Sequence, residues 1–207
     1  MGIIRNPKPV KLVMAIMSGN PEKFSATMEE LSRTYGPIDR ISPIFPFTHS
    51  RYYEREMGLN LQKQFISFEN LIAIEMLNSI KITTNSIEID LSRICNSEDK
   101  ICRQVNIDPG YISPAKLVLA TTKNYDHRIY IGNGIYAEVT LHFTRGQFKA
   151  WDWTYQDYQT PLALDFFTQV RQLYFSQLEA LGQLKVENCE IETPTTNPDT
   201  APREDIL

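Results

Sequence analysis

The sequence predicts an α+β domain: a mixed, largely antiparallel sheet opened by an N-terminal β-α-β unit, with helices mainly on one face. Three observations carry that expectation. The first 45 residues alternate strand, capped helix and strand; DHRIYIGNGIYAEVTLHF (126–143) alternates polar and apolar side chains about a glycine-rich turn; and a capped amphipathic helix follows near residue 161.

The elements follow in order. VKLVMAIM (10–17) is a near-continuous apolar run, expected as a strand buried on both faces. Asn20 as N-cap and Pro21 at the first helical position open a helix with Phe24, Met28, Leu31 and Tyr35 on one face, which Gly36 and Pro37 end. IDRISPIF (38–45) is a second strand, confined to an edge or bulge because Pro43 cannot donate to a ladder. FENLIAIEMLNSI, from Phe68, spaces Leu71, Ile74 and Leu77 as a helical face. TNSIE (84–88) reads as the start of a further short helix, with Asn85 as cap and Glu88 completing a capping box.

After a polar loop at 96–100, QVNIDPGYI is expected as a strand running into a turn at Pro109–Gly110, where Asp108 would bond its own backbone. SPAKLVLATTK reads as a short helix capped by Ser113 and Pro114, with a strand as the alternative. In the hairpin, a two-residue Asn133–Gly134 turn would set Ile129 against Glu138. A three-residue loop, Gly132 to Gly134, instead pairs Ile131 with Ile135, Ile129 with Ala137, Tyr130 with Tyr136 and Arg128 with Glu138. The second register keeps apolar and charged side chains on separate faces, so it is the one expected. It moves His127 to the apolar side and leaves His142 on the polar one. GQFKAWDWTY is one more strand, and Thr160–Pro161 caps a helix lined by Phe167, Val170, Tyr174, Leu178 and Leu181. The expected domain spans residues 8–182, with an acidic, proline- and threonine-rich tail over 188–207 expected to be disordered.

Composition narrows the function classes. Of 25 acids and 21 bases, six acids and two bases fall in 183–207, so the remaining chain carries 19 of each sign. A neutral body argues against a duplex nucleic-acid or anionic-membrane binder, which needs a basic surplus to release counterions. No apolar run approaches the ~20 residues of a membrane span, the N-terminus shows no cleavage pattern, and Asn6 breaks a myristoylation motif. Cys95, Cys102 and Cys189 have neither CxxC nor zinc spacing, and three reduced thiols in a cytoplasmic protein are expected. Phosphate-loop, HExxH and GxSxG motifs are missing, and the glycines of 132–137 precede a strand where a dinucleotide fingerprint needs a helix.

The strings KPVKL, YYEREMG, TNSIE, VNIDPGYISPAKLVLATTK, HRIYIGNGIYAEVTL and TY-x-DY together resemble an uncharacterised prokaryotic family, a domain of unknown function, over most of residues 8–180. CNSEDKIC (95–102) and the tail depart from it. The resemblance implies a single domain and brings no established activity and no catalytic residue.

Mixed-sign ionisable residues concentrate between 106 and 140, which points to a pocket for a small anionic ligand, phosphorylated or carboxylated. In that reading Lys116, Lys123 and Arg128 bind the anion, Glu138 and Asp108 supply acid/base or metal-binding capacity, and Tyr111 closes the rim. No metal ligand set or cofactor is assigned. The pocket requires these side chains to converge, and Lys116 on the opposite side of the sheet from Arg128 would refute it. The competing reading is a non-catalytic domain whose tyrosine- and arginine-bearing face contacts another protein. Single-stranded RNA binding through WDWTYQDY is the weaker third.

Overall fold

A computed structural model describes residues 2–50, 52–94 and 101–183. Strand β1 (Val10–Ser18) is buried along its whole length. Its apolar run is satisfied by two faces: Leu12, Met14 and Ile16 belong to one core cluster, Val13 and Ala15 to another. Helix α1 (Pro21–Tyr35) starts where expected, Asn20 accepting from the Glu22 N–H, and stops at Gly36. Strand β2 (Ile38–Ile41) then lies at the sheet edge, and β3 (Phe45–Pro46) follows the interruption at Pro43. After the short helix α2 (Glu54–Met57) comes β4 (Gln62–Ile72), and a 3-10 turn leads into α3 (Leu77–Asp90).

Two short strands, β5 (Arg93–Ile94) and β6 (Ile101–Cys102), pair with each other apart from the main sheet. The remainder is β7 (Asn106–Ser113), β8 (Lys116–Thr121), β9 (Ile129–Gly132), β10 (Ile135–Thr144), β11 (Gln147–Ala150) and α4 (Pro161–Ala180). The sheet order is β11-β10-β8-β7-β1-β4-β2, with β3 on β4 and β9 on β10. Every described pair is antiparallel. The β1-α1-β2 unit is present, split by β4 between its strands. Helices α1 and α3 cover one face, and α4 covers the other.

The strand expected over GQFKAWDWTY ends at Ala150, where a turn at 152–153 takes the chain out of the sheet, and four other local expectations change. Residues 68–72 belong to β4, because Phe65, Ile66 and Phe68 are sealed between β1 and β2 and the helical spacing of the apolar residues belongs to α3 alone. TNSIE is the interior of α3, not a new start. β7 runs straight through Pro109–Gly110. β8 pairs with β7 only from Gly110 onward, so Pro109 falls where no β8 partner is set against it. Gly110 serves a close approach, since a Cβ there would lie 2.3 Å from the Val118 carbonyl oxygen. The run 116–121 is a strand, and it buries Leu117, Val118, Leu119 and Ala120 on both faces at once, which a short surface helix could not do.

The hairpin combines both registers weighed from sequence. Asn133 and Gly134 have φ of 55° and 76° and close Gly132 against Ile135. An irregularity beside Ile131 then restores the expected Tyr130–Tyr136 and Ile129–Ala137 pairs. Cys102 is disulfide-bonded, which corrects the expectation of reduced thiols and removes thiol usage as an argument for a cytoplasmic location. Cys95, Cys189 and the tail from 188 lie outside the described residues. Among the described residues no helix is long and apolar enough to cross a membrane.

Candidate functional site

Sheet register assembles the site. Met17 pairs with Lys63 of β4 and Asn106 of β7, Ala15 with Asp108, Gly110 with Leu119, and Leu119 with Glu138. Cross-strand partners share a face, so Lys63, Asn106, Asp108 and Glu138 all project to the α4 side at one end of the sheet. β7 and β8 part beyond the Gly110–Leu119 pair, which opens the sheet there. Tyr155, Asp157 and Tyr158, just ahead of α4, and the segment around Tyr52 and Tyr53 wall the resulting cavity of about 390 Å³.

The charges are buried and matched. Arg128 Nε donates to Glu138 Oε2 at 2.8 Å, and the two side chains are only 3% and 2% exposed. The solvated cross-strand pair is thus replaced by a buried one, because Arg128 precedes β9 and turns inward. Its other nitrogens donate to the Lys123 carbonyl at 3.0 Å and the Tyr155 hydroxyl at 2.9 Å, and its ring neighbour is Tyr125. Burial works against the charged guanidinium, but Glu138 outweighs it and the pKa of Arg128 rises. Lys63 pairs with Asp157 at 2.5 Å, both nearly inaccessible, and lies over the Tyr158 ring.

Lys81 reaches from α3 to the Ile107 carbonyl at 2.7 Å and lies 3.7 Å from Asp108. Arg103 clasps Glu56 through two nitrogens and donates to Glu88 and Asn106. Burial pushes the Glu88 carboxyl up, against the pull of Lys81 and the Ile107 N–H it accepts. Tyr158 is enclosed, its hydroxyl has no hydrogen-bond partner among the described residues, and burial with Asp108 and Asp157 nearby holds it neutral far above the usual phenol range.

Of the residues expected from sequence, Asp108, Lys123, Arg128 and Glu138 line this cavity. Asp108 accepts from the Asn106 side chain at 2.8 Å, in mid-strand and not in an Asx-turn. Lys116 does not join them. As a strand, β8 sets Lys116 with Val118 and Ala120, opposite Leu119, and its cross-strand partner is His142 at the far end. The five-residue convergence therefore fails at Lys116, which refutes the pocket in the form expected from sequence; Asp108, Lys123, Arg128 and Glu138 meet without it. Tyr111 alternates away from Asp108 into the core beneath α1 and α3. His127 is no core histidine: its Nε2 meets Glu138 Oε2 at 3.1 Å, between the rings of Tyr125 and Trp153.

Lys63, Lys81, Arg103 and Asp157 were not expected as lining, and Tyr155 and Tyr158 were expected only as stacking rings of WDWTYQDY. A signal existed for two of their neighbourhood: Lys81 and Glu88 fall on the same helical stripe as Leu77, Ile80, Thr84 and Ile87, a charge on a face that must be buried. For Lys63, a lysine two residues before Phe65 in a strand, only the pairing reveals its partner.

Buried pairs of this kind cost desolvation without adding much stability, and here they cluster around one cavity. Among the described residues no group of three or more His, Cys, Asp or Glu could hold a metal ion. The lining offers cationic donors, the carboxylates of Asp108, Glu138 and Asp157, and tyrosine rings. No curated protein and no solved structure matches the chain. Residues 8–174 match the model of a family described as domain of unknown function (DUF4416), well over half of the chain, and the protein belongs to that family.

Proposed function

We propose that the cavity binds a small anionic ligand, phosphorylated or carboxylated, with Lys123 and Arg128 taking the anion and Glu138 and Asp108 available for proton transfer. The observation that supports this most is the set of five cations, Lys63, Lys81, Lys123, Arg103 and Arg128, around one partly open cavity of ligand size. Four of them have carboxylate neighbours; among the described residues Lys123 has none and lies over the Tyr52 ring at 4.1 Å. Lys123 is thus the cation free to take a ligand's charge, and Arg128 keeps guanidinium hydrogens beyond the three it uses.

A thermal-shift screen of the full chain against phosphorylated and carboxylated metabolites tests the reading. A ligand at about 100 times its Kd stabilises by ~2.7 kcal/mol through linkage. Lys123→Met should abolish that shift, and Lys116→Ala, away from the cavity, should keep it. A panel in which no anion shifts the parent protein would sink the proposal.

The alternative, a protein-contact domain, draws on a different surface. Tyr125, His127, Trp153, Trp151 and His142 stack in one row, with both tryptophans 39% exposed. Aromatic side chains of this exposure are common at interfaces. A silent ligand panel together with loss of a partner on Trp153→Ser would favour that reading.

A further inference from the structure

We infer that the ligand of this cavity carries a planar ring as well as its anionic group, and that Tyr155 is the platform on which the ring stacks. The inference rests on the anion-binding reading above and narrows it. Most tyrosines of the lining are already engaged face or edge: Tyr158 lies parallel to Phe167 and under Lys63, Tyr52 and Tyr53 meet each other, and Tyr125 lies between His127 and Arg128. Tyr155 differs. Among the described residues no ring and no cation covers it, it is 51% exposed, and it lines the cavity.

It is also held in place, because its hydroxyl accepts from Arg128 Nη2 at 2.9 Å. A ring fixed at its polar tip and bare on its faces loses little entropy when a second ring settles on it. The same guanidinium donates to the Lys123 carbonyl, so the platform, the arginine and the backbone that presents the carboxylate-free lysine form one connected wall. A ring on Tyr155 therefore leaves its anionic substituent within the part of the cavity served by Lys123 and Arg128. Deeper in, the Tyr158 hydroxyl, buried and without a hydrogen-bond partner among the described residues, supplies a donor and acceptor for a polar edge of the ligand. A cavity of about 390 Å³ is in the range that small-molecule sites occupy.

A nucleoside monophosphate and an aromatic carboxylate both supply a planar ring bearing an anion. The test is isothermal titration of the full chain, at fixed salt, with adenosine and uridine monophosphate, nicotinate, ribose 5-phosphate and inorganic phosphate. A ring-bearing anion should bind at least about tenfold tighter than ribose 5-phosphate, the scale of one base–aromatic stack. Compared with Tyr155→Phe, which loses the same hydroxyl but keeps the ring and most of the advantage, Tyr155→Leu should remove that advantage while binding ribose 5-phosphate as the Phe variant does, and Lys123→Met should weaken ring-bearing and ringless anions alike. Whether the nucleotides or nicotinate respond distinguishes the two sources.

Equal affinity for ring-bearing and ringless anions overturns this inference while the anion-binding reading stands. So does an equal loss of both in Tyr155→Leu, which would make Tyr155 a prop for Arg128 only. No binding by any of the five probes, in a protein whose broad anion screen is also silent, removes both readings.

Discussion

Replacing Glu138 by Gln separates a buried charge pair from the solvated pair that strand alternation alone suggests. The substitution keeps the side-chain volume and one acceptor oxygen but leaves the Arg128 guanidinium, 3% exposed, facing a neutral amide. Removing one partner of a buried pair costs about 3 to 5 kcal/mol, because the remaining charge stays desolvated and uncompensated. Arg128 keeps its bonds to the Lys123 carbonyl and the Tyr155 hydroxyl, so the lower end, ~3 kcal/mol, is expected. At roughly 2 to 4 °C per kcal/mol for a chain of this size, that is a fall in Tm of about 6 to 12 °C. Urea titration of the parent, Glu138→Gln and the double variant Arg128→Met with Glu138→Met measures it. The double variant should lose less than Glu138→Gln alone, since it leaves no unpaired charge behind. A loss below ~1 kcal/mol in Glu138→Gln would place the pair among exposed salt bridges and refute the reasoning.

Three other outcomes follow from the same geometry. Gly110→Ala should destabilise by about 1 to 3 kcal/mol, because the new methyl meets the Val118 carbonyl and Leu119 and neither strand can withdraw; a neutral result in thermal denaturation would mean that β7 and β8 are not this close. For Glu88 the folded-state pKa lies above the usual 4.5, so the folded protein holds the proton more tightly than the unfolded chain. Its contribution favours folding below pH 4.5 and is lost as pH rises through the raised value, so Glu88→Gln should flatten that part of the stability-versus-pH curve; an unchanged slope counts against it. Cys102→Ser, or reduction of the parent, should lower stability by about 2 to 4 kcal/mol, and reductant should then have no further effect on the variant; equal sensitivity in both would rule out a disulfide at Cys102.

Sequence patterning was most informative where one local rule governs a segment. The cap at Asn20 with Pro21, the cap at Thr160 with Pro161, and the all-apolar β1 each depend on neighbours within a turn or on burial from both sides. It was least informative where apolar residues fill both faces of an element. In KLVLAT the apolar run, and in FENLI the spacing of Phe68, Leu71 and Ile72, fit a helix or a strand equally, and only the partners on either side choose. The site divides in the same manner. Arg128 and Glu138 were legible because one hairpin contains both and its alternation sets them opposite each other. Lys116 was misplaced because a helix and a strand send residue 116 to different sides.

By itself, then, the sequence determined an α+β domain with a β-α-β opening, two capped helices and a hairpin that joins an arginine to a glutamate, since each follows from contacts a few residues apart. The tertiary structure alone decided that the pair is buried, that Lys63 finds Asp157 and Arg103 finds Glu56 and Glu88, and that Arg128 finds Tyr155. Those partners lie tens of residues apart and meet only because β4, β7, β8 and β10 end at one side of the sheet. Strand order, which no local pattern encodes, made a cavity from that edge.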